Sequence, residues 1–279
     1  MSTKTATDRV GVCSWSLQPK DPEDLAAKLA ACGICRVQLA LDPLRQSPQA
    51  WSGTETIFRE NHLSILSGMF GCVGEDYSTP QSIRLTGGLA PDATWEQNRK
   101  NIRETVALAA KLGLKLVTFH AGFLPSLASD PGYVKMLDRL AEVSGLFAVA
   151  GISLALETGQ ETARALAALL QKLCCPNLGV NFDPANLILY DKGNPVAALL
   201  ALAPWIRQIH IKDAVRPETP GEWGQEMAAG FGEVDWAAFF ATLRRVKFEG
   251  DYVIEREAGG RRIPDIILAR AVVERNLAS

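Results

Sequence analysis

Four ionisable residues stand at the ends of strongly apolar runs: Glu157 after ISLAL, Asp183 after LGVNF, His210 after RQI and Glu255 after DYVI. Burying an ionisable side chain is unfavourable unless something compensates its charge. Three carboxylates and one imidazole gathered on one rim would repel each other unless a divalent cation sat among them, and one nitrogen with three oxygens suits a hard or borderline metal. The expected metal ligands are therefore Glu157, Asp183, His210 and Glu255. A divalent ion holding two vicinal oxygens of a hydroxy-ketone acidifies the intervening C–H, while carboxylates on opposite sides of the substrate give and take the proton. Glu157 and Glu255 are the expected acid/base pair. Hydrolysis through metal-activated water would use the same ligands. Taken singly, a carboxylate at a strand end is more ordinary as a helix N-cap or a rim ion pair, and it is their joint occurrence that favours a metal.

Other residues cluster around these four in the sequence. Pro184 holds Asp183 extended, which assigns the carboxylate to the strand end and not to a helix. Lys212 and Asp213, just past His210, are expected to supply a cation and an acceptor for the imidazole N–H. Glu257, two residues beyond Glu255, shares its side if the strand continues. His120 closes the run VTFH and is expected to touch substrate or shuttle a proton. His62 precedes a strand and falls at the opposite end. Arg256, Arg261 and Arg262 lie near the eighth loop, where barrels often bind phosphate, and are equally suited to solvent or surface ion pairs.

The elements that must position these residues follow from the hydrophobic pattern. Apolar strand-like runs at 10–15, 35–41, 63–70, 115–120, 152–157, 178–183, 206–211 and 251–255 alternate with amphipathic patterns near 22–32, 47–60, 94–112, 131–149, 161–173, 194–203, 235–246 and 262–276. Asp21-Pro22 and Asp130-Pro131 are helix-start signals. Eight strand–helix units predict an α/β fold, a single (β/α)8 TIM barrel over residues 1–279, with the ionisable strand ends on the C-terminal rim. An open doubly wound sheet is the alternative, but Ser14-Trp15-Ser16 stands where a dinucleotide-type glycine turn would be. The connection from Gly71 to Ala93, with Glu75, Asp76, Tyr77 and the Gly87-Gly88 pair, exceeds the usual loop length and reads as a lid or binding element, or as an excursion with its own short helix.

Composition narrows the function classes. With 279 residues, 47% hydrophobic and 22% charged, the chain is globular. A net charge of −2 with no basic run argues against nucleic acid. No stretch of about 18 apolar residues is present, so no membrane span is expected. Met1 to Asp8 lack a signal-peptide pattern, and a cytoplasmic location is expected. The six cysteines read as reduced thiols, including the CxxC pair Cys32 and Cys35, which has no second CxxC to complete a zinc site.

In order after LALETG, the segments NFDPAN, IHIKD, GFGEVDW and VIEREAG resemble the xylose isomerase-like sugar phosphate isomerase/epimerase superfamily. The resemblance covers essentially all eight units and is densest from Gly151 to Gly259. It implies a TIM barrel with a divalent metal ion, commonly Mn, Mg, Co or Zn, on Glu157, Asp183, His210 and Glu255, with the two glutamates as acid and base. Asn186 stands where many epimerase relatives carry a substrate-touching histidine, and Gln38 where relatives often have glutamate. His120, Asn186, Lys212 and Glu257 are thus the expected substrate-binding residues. The superfamily's zinc endonucleases use a histidine-rich cluster that three histidines can hardly build. The expected function is isomerisation or epimerisation of a small sugar or sugar-derived hydroxy-ketone. The alternatives are dehydration of a keto-polyol or inosose-like substrate and a non-catalytic sugar-binding barrel. The expected partner is a small-molecule sugar or polyol-derived substrate, and a homo-oligomer is compatible with the resemblance.

Overall fold

The computed structural model describes residues 9–124 and 130–278. Eight parallel strands close into a barrel: β1 (Val10–Cys13), β2 (Arg36–Ala40), β3 (Ser64–Met69), β4 (Leu116–Phe119), β5 (Ser153–Glu157), β6 (Leu178–Phe182), β7 (Ile206–Ile211) and β10 (Asp251–Ile254). Two short strands, β8 (Asp213–Val215) and β9 (Gln225–Met227), form an antiparallel hairpin after β7. Around the ring the order is β1-β10-β7-β6-β5-β4-β3-β2, and β1 closes it by pairing Val10 with Tyr252. The chain is a (β/α)8 TIM barrel.

Alternation within each strand builds two environments. Phe182 of β6 faces the outer helices and meets Phe239 of the helix Trp236–Arg245 at 5.8 Å between ring centroids. Burying each of these rings stabilises the fold by roughly 1.5–3 kcal/mol. The neighbouring Asn181 faces the interior, where it joins a polar chain: Ser67 Oγ donates to Gln208 Oε1 at 2.7 Å, and Gln208 Nε2 donates to Asn181 Oδ1 at 3.2 Å. These side chains are buried and hydrogen-bonded to one another, as polar groups inside a barrel must be. They form the floor beneath the C-terminal mouth.

Helix starts follow the local chemistry. Asp21 caps Pro22–Cys32 by accepting from Asp24 N at 2.8 Å, and Gly33, at φ +63°, ends it. Three expectations need correction. Residues 14 and 15 leave the expected first strand to begin the helix Ser14–Leu17. The helix expected at 47–60 is two helices, Asp42–Gln46 and Thr54–Glu60, because Asp42-Pro43 starts a turn early and Pro48 cannot donate to a continuing helix. Asp183 does cap a helix: Pro184 fits the first helical position, and Pro184–Leu189 follows directly. The 71–93 connection contains the helix Pro80–Thr86. No helix among the described residues is long and apolar enough to cross a membrane.

Candidate metal and substrate site

The strand ends bring Glu157, Asp183, His210 and Glu255 together, with one ligand-capable atom from each lying within 4.8 Å of the others. His210 Nδ1 stands 3.4 Å from Glu157 Oε1, 3.6 Å from Glu255 Oε2 and 3.7 Å from Asp183 Oδ2. All four side chains are buried. Asp183 divides its oxygens: Oδ1 accepts from Ala185 N at 2.7 Å and Asn186 N at 3.1 Å, while Oδ2 has no hydrogen-bond partner. His210 Nδ1 is likewise buried without one. Leaving a buried polar atom unsatisfied costs about 1–3 kcal/mol, and here two face the same point. A divalent cation fits there, because two unpartnered ligand-capable atoms and two more carboxylates meet at a spacing suited to ligands held about 2.0–2.2 Å from an ion.

Electrostatics set the protonation of this cluster. Burial pushes the Glu157 and Glu255 carboxyls up, but His120 and His210 outweigh it for Glu157, and Lys212 with His210 for Glu255. Both end below the usual carboxylate range, Glu255 well below it. For Asp183 burial prevails and the carboxyl is raised. Burial opposes charge on His210 and Lys212, yet the surrounding acids hold both well above their ordinary values. If Nδ1 faces a cation, Nε2–H donates to Gln38 Oε1 at 2.8 Å, and Gln38 Nε2 in turn donates to Thr118 Oγ1 at 2.8 Å. Gln38 is therefore the acceptor that fixes the imidazole, and Asp213 is not. Lys212, two residues beyond His210, keeps to the interior, whereas Asp213 turns away. Asp213 accepts from Ala214 N, Gly230 N, Val234 N and Trp236 Nε1 at 2.8–3.1 Å and braces the loop after β7.

Above the cluster lies a cavity of about 420 Å³, with Glu255 at its base. The expected substrate-contacting residues His120, Asn186, Lys212 and Glu257 all line it. Glu157 lies just beneath, its Oε1 3.0 Å from Asn186 Nδ2 and 3.6 Å from His120 Nε2. Lys212 Nζ donates to Glu255 Oε2 at 2.8 Å, Glu257 Oε2 at 2.6 Å and Asn186 Oδ1 at 3.3 Å. Trp15, Tyr190 and Trp223, not singled out from the sequence as site residues, complete the site. Trp15 Nε1 donates to Glu255 Oε1 at 2.7 Å, and Tyr190 and Trp223 form an aromatic wall with rings 4.8 Å apart. The long connection contributes Glu75 and Tyr77 to the lining. Interior Asn181 and Gln208 had a readable signal, since polar residues two before Asp183 and His210 share their face. The eighth-loop arginines are engaged: Arg256 with Glu226 and Asp265, and Arg262 with the backbone carbonyls of Trp15, Ser16, Arg256 and Glu257. Arg261 is exposed and does not line the cavity, and His62 precedes β3 at the far end of the barrel.

Among proteins of known sequence, uncharacterized protein YihM of Escherichia coli (strain K12) is 28% identical over 152 residues, which cover 54% of this chain and 46% of that protein. The match thus spans about half the length of the curated relative. A solved xylose isomerase domain protein from Planctomyces limnophilus shares 28% identity with a TM-score of 0.85, covering 96% of each chain. A xylose isomerase-like TIM barrel protein from Mycobacterium smegmatis, in complex with magnesium, superposes with a TM-score of 0.75 at 15% identity, covering 99% and 98%. L-ribulose 3-epimerase does so at 0.71 and 17%, covering 97% and 94%. The identities of the last two carry the fold alone. The family model described as xylose isomerase-like TIM barrel matches residues 27–273 and so takes in the strand ends that carry Glu157, Asp183, His210 and Glu255; the chain belongs to that family.

Proposed function

We propose that the protein is a divalent-cation-dependent isomerase or epimerase of a small sugar or sugar-derived hydroxy-ketone. The observation that carries this reading is the convergence of Glu157 and Glu255, from strands with two others between them on the ring, on one point with the unpartnered Asp183 Oδ2 and His210 Nδ1. Glu157, Asp183, His210 and Glu255 would hold the ion. When bound there, the ion supplies positive charge that stabilises the negative charge developing on the substrate as a C–H proton leaves. The chain's own groups do the rest. Glu255, fixed by Trp15 Nε1 and Lys212 Nζ, meets one face of the substrate. Glu157 serves the other face, and His120, between it and the cavity, passes the proton. Lys212 and Asn186 orient hydroxyl and carbonyl oxygens, and the walls formed by Trp15, Tyr190 and Trp223 exclude water.

The test is proton exchange. In D2O with Mn²⁺ or Mg²⁺ and a panel of ketoses, the protein is expected to wash deuterium into the carbon beside the carbonyl. Glu157→Gln and Glu255→Gln should each lower that exchange by at least about 10²-fold. Ketose binding without label in any member would make this a sugar-binding barrel, and an enone absorbance would move the reaction to dehydration.

A further inference from the structure

In TIM barrels a phosphate commonly sits in the loops after the last two strands. Here the loop after β10 has the donors of such a site, since the N–H groups of Glu257 and Ala258 and the guanidinium of Arg256 converge on one place. That place is filled by the carboxylate of Glu226, delivered by β9 from the preceding loop. Its Oε1 accepts from Arg256 Nη1 at 2.7 Å and Glu257 N at 3.0 Å. Its Oε2 accepts from Glu257 N at 3.2 Å and Ala258 N at 3.1 Å. The Glu226 side chain is 8% exposed, and Asp265 Oδ2 holds Arg256 from its other edge at 2.9 Å. Successive backbone N–H groups with an arginine fork form the donor set that recognises phosphate or carboxylate.

The remainder of the cavity offers an anion no substitute. Among the described residues, Lys212 is the only lysine or arginine lining it, and Glu255 and Glu257 already hold its ammonium. Asp42 and Glu75 add further acid to the wall. We propose that Glu226 is an internal anion plugging a phosphate nest, so that the cavity takes an uncharged sugar or polyol-derived ketone and rejects its phosphorylated or acid counterpart. The substrate half of this proposal rests on the reading above; the plugged nest does not.

The test titrates inorganic phosphate into the Mg²⁺-loaded protein by calorimetry, comparing wild type with Glu226→Ala. The variant is expected to bind phosphate at least about tenfold more tightly, a difference of about 1.4 kcal/mol. Glu226→Gln, which keeps the side chain's shape, should gain less, and it carries the comparison if the alanine variant does not fold. In parallel, wild type should bind D-fructose at least about tenfold more tightly than D-fructose 6-phosphate, with the gap narrowing in the variants. Equal phosphate affinity in wild type and variants, or a wild-type preference for the phosphorylated ketose, overturns the proposal. Neutral ketose bound but never labelled in D2O would remove the isomerase reading and leave this proposal standing. Label entering only phosphorylated ketoses would do the reverse.

Discussion

Asp183 shows how much one side chain can decide. Its Oδ1 is spent on the N–H groups of Ala185 and Asn186, so Oδ2 alone is left to face His210. Replacing it with asparagine separates the two roles, because asparagine caps a helix as well as aspartate does but brings no negative charge to the cluster. Asp183→Asn is expected to unfold in urea within about 1 kcal/mol of the cation-free parent while binding Mn²⁺ at least about 10²-fold more weakly by calorimetry. Parent-like Mn²⁺ affinity in a folded variant would remove Asp183 from the ligand set. The convergence of Glu157, Asp183, His210 and Glu255 was legible in the sequence because each is ionisable and ends an apolar run. Trp15 and Glu226 were not, because their roles depend on partners far along the chain. Trp15 meets Glu255 across 240 residues, and Glu226, on a hairpin whose strands are three residues each, meets Arg256 30 residues further on. Asp213 misled for a local reason: being acidic and near His210 in sequence does not place it on the same face.

Among the elements, the 71–93 connection was conspicuous by its length, but its anchoring was not readable. Leu89 N donates to Ala121 O at 3.0 Å, and Gly88 N donates to Glu75 Oε1 at 3.0 Å, which docks the connection on the end of β4 beside His120. Gly88 adopts φ +65°, and a Cβ there would run into the carbonyl of Ala121, so only glycine permits the approach. Gly88→Ala should therefore push the connection away from β4 and displace Glu75 and Tyr77 from the cavity wall. The expected cost is about 1–3 kcal/mol of stability in urea unfolding, with weaker ketose binding and Mn²⁺ affinity little changed. Parent-like stability and ketose binding would show that the connection is not held at this point. The barrel strands themselves were legible, because eight apolar runs spaced by amphipathic helices admit few other arrangements. The short helices at Ser14–Leu17 and Pro184–Leu189 and the β8–β9 hairpin were not, since they lie within loops where tertiary contacts, not periodicity, choose the conformation.

At the scale of the whole barrel, the four residues proposed to hold the ion stand at the ends of β5, β6, β7 and β10, which are consecutive around the ring. One ion would tie half the barrel together at its mouth and would counter the repulsion of three buried carboxylates. The cation-free protein already has a substitute, since the acids around His210 keep its imidazole charged against the pull of burial. Chelation should therefore weaken the fold without dismantling it. An ion that binds only the folded state, at 100 times its Kd, adds about 2.7 kcal/mol. For a chain of this size each kcal/mol moves Tm by roughly 2–4 °C, so EDTA should lower Tm by about 5 to 10 °C from the Mn²⁺-saturated value. Because Asp183→Asn keeps the cap and loses the ligand, its Tm should respond to Mn²⁺ and EDTA only weakly. Calorimetric scans of both proteins with and without the ion decide the matter. A parent Tm unmoved by saturating Mn²⁺, Mg²⁺, Co²⁺ or Zn²⁺ would mean that the charge on His210 is the permanent counterweight to the carboxylates. The cluster would then be an internal ion-pair network, and the ion-dependent chemistry proposed for Glu157 and Glu255 would lose its footing.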